Sequence, residues 1–292
     1  MRIALAALLA STGVNALSSQ TADAATLVFR DSIMVEDGIP SGVAKDQTDD
    51  SLWVAVGDGV IHLDAAGTLI AKYSTPRTHF IHGITPFGDL FLLGGQHGLS
   101  LLSPTDGAIV PFLPSTDFGR IAGVHFDAFS QTIVVTDQFR SEVKTYSMSG
   151  ELISVRRTHE YSFLFDDPEG IVIDPDNGHM LVLDDLGGTS SLYELAQDGT
   201  LIDRIDLVVL SSLQTPERRP YFDPEGLAID PTTGTLYVAF ANEQSILRFD
   251  YTGTPGTRSD ISALSTPLPG AAFLMASVFG AAGVRKLLRR KR

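Results

Sequence analysis

The stretch FDDPEGIVIDPDNG, Phe165 to Gly178, returns as YFDPEGLAIDPTTG, Tyr221 to Gly234, with eight of fourteen positions identical. Both copies open on Asp-Pro-Glu-Gly, pass through a short apolar run and end in an Asp-Pro turn closed by glycine. Two more apolar runs follow each copy, in HMLVLDD…SSLYELAQDG and in TLYVAFANEQSILRFDYTG. Runs this short, rich in Val, Ile, Leu, Tyr and Phe and bounded by turn residues, read as strands. A repeat found once is to be sought along the whole chain.

The same plan recurs more faintly upstream, in units starting at Ser41, His82 and Ala122. Aligned on the glycine near each start (Gly42, Gly83, Gly123, Gly170, Gly226), the spacings are 41, 40, 47 and 56 residues. The longest spacing holds an extra loop, SSLQTPERRPY. Each unit carries about four strands, and no segment before Gly270 shows a sustained helical period. Four strands per unit, repeated around a ring, make a β-propeller blade. The last unit supplies only three strands, GLAID, TLYVAFA and ILRFDY; the N-terminal segment TLVFRDSIMV is the missing fourth. The expected fold is therefore all-β, a propeller of five blades closed by the N-terminal strand, which leaves no open sheet edge. A sixth blade would have to lack any visible sequence signal.

The 292-residue chain is 43% hydrophobic and 19% charged, with no cysteine. That excludes a disordered protein, a collagen, a polytopic membrane protein, a disulfide scaffold and a thiolate metal site. Between Ala25 and Thr266 stand 14 Lys or Arg and 34 Asp or Glu, so this body carries 14 − 34 = −20. Such acidity repels the nucleic-acid backbone and anionic lipid.

The two ends read as address labels. Met1-Arg2, the apolar run Ile3 to Ala10 and the triplet Ala22-Asp23-Ala24 form a signal-peptide pattern cut before Ala25. The domain reading is 1–24 signal peptide, 25–264 propeller and 265–292 C-terminal signal. That last segment contains Pro267-Leu268-Pro269, the apolar run GAAFLMASVFGAAGV as a transmembrane helix, and RKLLRRKR with Arg289 and Arg290. The basic end stays cytoplasmic by the positive-inside rule. This tail resembles the bacterial PEP-CTERM sorting signals in their VPLPA variant, with Thr266 for Val and Gly270 for Ala. The resemblance implies export by signal peptidase, a transient inner-membrane anchor, processing by an exosortase, and a home at the cell surface or in the exopolysaccharide matrix.

Within the body, TDQFRSEVKTYSMSGE and ANEQSILRFDYTG resemble NHL-repeat strands. Glu169-Gly170-Ile171 and Glu225-Gly226-Leu227 resemble the Glu-Gly blade opening of gluconolactonase-type hydrolases, in which such a Glu ligates a divalent cation. The residues before the aligned glycines are Ser41, His82, Ala122, Glu169 and Glu225. These should converge on one channel mouth, with Asp137 and Asp185 from the ends of second strands near the same face. Oxygen-rich convergence suits Ca²⁺ or another hard divalent cation. The alternative is that both glutamates cap local backbone amides while Asp167-Pro168 and Asp223-Pro224 shape the entry turn. The function read from the sequence is a binding module, associated with the exopolysaccharide matrix or a small molecule; the alternative is a divalent-metal-dependent lactone or ester hydrolase acting at the channel mouth. Asp174 to Gly178 resembles the start of an EF-hand loop, but the equivalent Asp230 to Gly234 lacks those ligands, so both are expected to be hairpin turns. In its native host the mature protein should begin near Ala25 and lack residues 270–292; an intact mass that retains the basic tail would refute the processing.

Overall fold

In the two Asp-Pro-Glu-Gly units, proline at one end and an Asp-led turn at the other keep the first strand short, and the chain turns back on itself after each. In the computed structural model, which describes residues 24–254 apart from 76–79, 115–117, 163–164 and 187–188, the strands form five four-stranded antiparallel sheets. Strand β1 (Thr26–Met34) comes first. Blade one is β2 (Gly42–Lys45), β3 (Leu52–Ala55), β4 (Gly59–Leu63) and β5 (Leu69–Ser74). Blade two is β6 (Ile81–Phe87), β7 (Leu90–Gly95), β8 (Gly98–Leu102) and β9 (Ile109–Pro114). Blade three is β10 (Ile121–Asp127), β11 (Thr132–Asp137), β12 (Glu142–Ser147) and β13 (Leu152–Arg157). Blade four is β14 (Pro168–Ile173), β15 (Met180–Asp184), β16 (Ser191–Leu195) and β17 (Leu201–Asp206). Blade five runs β18 (Pro224–Ile229), β19 (Thr235–Phe240) and β20 (Ser245–Thr252), and β1 completes it from outside.

The closing strand pairs antiparallel with β20, Leu27 opposite Tyr251 and Ile33 opposite Ile246. The expectation of five blades closed from the N-terminus is met. The two Asp-Pro turns are hairpins alike: Asp174 accepts from the Asp176 and Gly178 amides, and Asp230 from the Thr232 and Gly234 amides. Asp23 and the residues before it, the C-terminal apolar helix, Pro267, Leu268, Pro269, Arg289 and Arg290 lie outside the described residues. Among the described residues no helix is long and apolar enough to cross a membrane.

The loop between β17 and β18 holds a helix that the sequence pattern did not reveal, α1 (Leu207–Gln214). Asp206 caps it by accepting from the Val209 amide at 2.9 Å. Its apolar residues are split, Leu207 buried but Val209 and Leu213 exposed, so no one-sided stripe marks it. The helix braces the closure: Gln214 accepts from the Phe29 amide at 2.6 Å and donates to the Leu27 carbonyl.

Five apolar clusters fill the five gaps between neighbouring blades. Trp53 lies between blades one and two, stacked on Phe91 at 4.5 Å and on His62 at 4.1 Å. At the axis, side chains give way altogether. A Cβ on Gly42 would stand 2.3 Å from the His82 carbonyl oxygen, and one on Gly226 2.6 Å from the Gly42 Cα. Gly83, Gly123 and Gly170 meet the backbone of the next blade in the same way. This glycine ring leaves about 10 Å³ at the axis, room for a single water at most. It divides the channel into a polar mouth, where inner strands begin, and an apolar funnel of about 460 Å³, where they end. Gly42→Ala should cost about 3 kcal/mol or more, because backbone cannot yield as a side chain does; urea denaturation measures it, and an unchanged midpoint would refute the backbone contact.

Candidate functional site

The mouth is built by an irregularity repeated at the start of the inner strands. In β6, β10, β14 and β18 the ladder skips around the aligned glycine. Such bulges turn the unpaired residue out of the ladder. The turned-out residues include His82, Glu169 and Glu225. Hydroxyls lock the ring beneath them. Thr136 Oγ1 accepts from the Gly123 amide and donates to the Glu169 carbonyl oxygen, tying blade three to blade four. Ser41 Oγ donates to the Ile81 and Ala55 carbonyls, tying blade one to blade two, so its hydroxyl is committed to the scaffold.

Glu169 and Glu225 meet and hydrogen-bond each other. Glu169 also accepts from Gln138 Nε2 and is only 2% exposed. Burial, then the charges of Glu225 and Asp167, hold its carboxyl well above the usual range. Burial and the neighbouring Asp223 push Glu225 up to about 7. Asp185 sits beside Asp223 and shares a hydrogen bond with it; burial raises it to about 6 even though Ser190 donates to it at 3.0 Å. Opposed to these acids is Arg120, whose charge favours ionisation of Asp167, Glu169 and Glu225.

Arg120 also fixes the histidine. Its Nη2 lies 3.2 Å from His82 Nδ1. A guanidinium only donates, so Nδ1 accepts and the imidazole proton sits on Nε2. Burial and the adjacent cation hold His82 neutral, its pKa down to about 4. Five buried atoms here have no hydrogen-bond partner: His82 Nε2, Arg120 Nε, Gln138 Oε1, Glu169 Oε2 and Glu225 Oε2. Buried polar atoms are ordinarily paired, so five orphans at one mouth mark a place for a polar ligand.

The structure thus brings together Glu169, Glu225, Asp185 and His82, and sets Asp137 apart. Asp137 is fully buried, taking Lys144 Nζ at 2.5 Å and the Gly119 amide at 2.9 Å. It holds the turn that presents Arg120, whose own amide it also accepts. Its counterpart in blade four is Asp184, not Asp185: Asp137 pairs with Ile121 as Asp184 pairs with Pro168. Asp184 likewise accepts from the Asp167 amide. A shift of one residue along a strand reverses the face, and the sequence reading made that shift.

Sequence reasoning missed Arg120 and Gln138, and gave Asp167 and Asp223 only a turn-shaping part. The signal was present three residues before each aligned glycine, where Arg120, Asp167 and Asp223 stand in blades three, four and five. Among the described residues no three His, Asp or Glu are placed to hold a metal ion.

A sequence-family model, Phytase-like, described as esterase-like activity of phytase, matches residues 169–272, a little over a third of the chain. No curated protein matches significantly. Among solved structures, Myxococcus xanthus glutaminyl cyclase is similar with a TM-score of 0.58 at 13% identity, over 78% of this chain and 97% of that one. A Bacteroides thetaiotaomicron protein of unknown function gives 0.54 at 14% identity, over 74% and 60%. At such identities the likeness shows the propeller fold alone.

The raised carboxyls make stability depend on pH. Protons they keep in the fold are released by the unfolded chain, so their contribution is complete below the unfolded pKa of about 4 and is lost as pH rises through about 6 and 7. Melting temperature should therefore fall between about pH 5 and pH 8. Glu225→Gln should raise it at the alkaline end by about 2–4 °C and flatten the slope. A thermal melt series checks both, and a slope unchanged in the variant would refute the buried pair.

Proposed function

We propose that this is an exported propeller hydrolase that acts on a carboxylic ester or lactone at the acidic mouth. The observation that carries the reading is the Glu169–Glu225 pair, two buried carboxyls of which one holds a proton near neutral pH while the other is poised to take one. That is the equipment of general acid–base catalysis. The family-model match begins at Glu169 and takes in Glu169-Gly170 and the whole of the second Asp-Pro-Glu-Gly opening, which supports an ester as the substrate class. Export rests on the signal-peptide pattern, and delivery to the exopolysaccharide matrix on the tail's resemblance to a sorting signal.

Chemically, ionised Glu225 takes a proton from water as the water oxygen bonds to the substrate carbonyl carbon. The negative charge that gathers on the carbonyl oxygen is received by Arg120 Nε–H, a buried donor without a partner, and His82 Nδ1 steadies that guanidinium through its Nη2. Protonated Glu169 gives its proton to the departing alkoxide as the acyl–oxygen bond breaks, leaving an acid and an alcohol. Proton return from Glu225 to Glu169 across their hydrogen bond resets the site.

The rate should rise with pH through about 7 as Glu225 ionises and fall again where Glu169 loses its proton, a bell belonging to the coupled pair. Glu225→Gln should lower kcat by about a hundredfold to ten-thousandfold and remove the acid limb. Initial rates on a panel of short carboxylic esters and lactones test this. Activity lost on chelation and restored by Ca²⁺ would instead make the pair metal ligands, and saturable binding with no turnover would make the protein a binding module.

A further inference from the structure

We infer that the mouth takes an uncharged ester whose acyl group is apolar, and that this group lies on Ile39 and Phe80. The inference rests on reading the mouth as a hydrolytic site, and names the substrate class of that site. One ring position carries it, three residues before each aligned glycine. Arg120, Asp167 and Asp223 fill that position in blades three, four and five, and Ile39 and Phe80 fill it in blades one and two. The backbone shows that Phe80 is equivalent to the charged three. Its carbonyl oxygen accepts from the Gln96 amide just past the second strand, as those of Arg120, Asp167 and Asp223 accept from Gln138, Asp185 and Ala241.

Side chains at this position serve the mouth. Arg120 lies against His82, Asp167 acts on Glu169, and Asp223 shares a hydrogen bond with Asp185. In blades one and two the same position is apolar and open to solvent, Ile39 56% and Phe80 47% exposed. One exposed apolar residue is ordinary, but two at equivalent places in adjacent blades make a shelf beside the site. Neither blade sets a carboxylate at this position or directly before its glycine, where Ser41 and His82 stand. The mouth is thus divided, with acids on blades four and five and apolar surface on blades one and two. Ring order then orients the ester. Glu169, which protonates the departing alkoxide, belongs to blade four, and in a ring of five that blade stands opposite the boundary of blades one and two. The alcohol half leaves towards blade four, and the acyl half extends over Ile39 and Phe80. A lipid surface does not fit this shelf, because the acids beside it and the body's charge of −20 repel anionic headgroups.

Two isomers make the test, ethyl butanoate and butyl acetate, which carry the same two extra methylenes on opposite sides of the ester. On the full chain kcat/KM should favour ethyl butanoate by about fivefold to tenfold, each methylene being worth up to about fourfold when buried. Phe80→Ala and Ile39→Ala should each bring the ratio towards one, and both side chains are exposed enough to be cut back without unfolding the ring. Phe129→Ala is the control. Phe129 is 45% exposed but lines the funnel beyond the glycine ring, so the ratio should not move. A ratio of one, a preference for butyl acetate, a ratio unmoved in both shelf variants, or one lost equally in the control would overturn the inference and leave the hydrolase standing. If neither ester is hydrolysed the hydrolase reading falls, and calorimetric titration of ethyl butanoate into the wild type and Phe80→Ala still decides. Weaker binding in the variant upholds the shelf, and equal or absent binding ends it.

Discussion

Five glycines pressed backbone to backbone around one axis govern this molecule. With no Cβ at Gly42, Gly83, Gly123, Gly170 and Gly226, each inner strand approaches the backbone of the next within contact distance. The approach sets how tightly the blades wrap. It also makes the final contact, Gly226 on Gly42, a condition for closing the ring rather than a consequence of it. Apolar packing between blades stabilises the ring, but it is tolerant of shape and would accept other spacings. Backbone contact is not. The same closeness blocks the channel, so the chemistry of the mouth is insulated from the apolar funnel behind it.

The glycines also aim the site. A ladder that skips at the glycine turns the preceding residue out of the sheet, and the ring carries these residues to a shared centre. Glu169 and Glu225 lie 56 residues apart in sequence yet share a hydrogen bond. Two carboxyls so placed disfavour each other's ionisation, and burial adds to the cost. The scaffold bears that cost because the residues beneath them are fixed independently. Thr136 ties the Glu169 carbonyl to the next blade, and the buried Lys144–Asp137 pair holds the turn that delivers Arg120. The cluster of unsatisfied atoms at the mouth is thus held in place by neighbours that are satisfied.

Asp137 and Asp185 show where sequence reading reaches its limit. Both follow a run of strand residues, and both are acids at the mouth end of a second strand. One residue of register separates them: Asp137 and Asp184 point into the entry turn and accept its amides, while Asp185 points to the mouth. Arg120 is the opposite case, a residue whose position three before an aligned glycine already matched Asp167 and Asp223. Its importance lay in a charge opposite to theirs and in a histidine 38 residues away. Helix α1 escaped notice because its apolar residues are not confined to one side.

Composition and repetition alone determined that the chain is a five-bladed ring, that Thr26 to Met34 closes it, and that His82, Glu169 and Glu225, each just before an aligned glycine, belong to one mouth. These follow from local rules, since turn residues, strand periodicity and unit spacing act over a few residues or a regular count. Which acid shares a proton with which, which nitrogen of His82 carries its hydrogen, and which oxygens are left unpaired were decided only by the tertiary structure. Those properties depend on burial and on charges contributed by other blades, and the closing of the ring brings such groups together without regard to their distance along the chain.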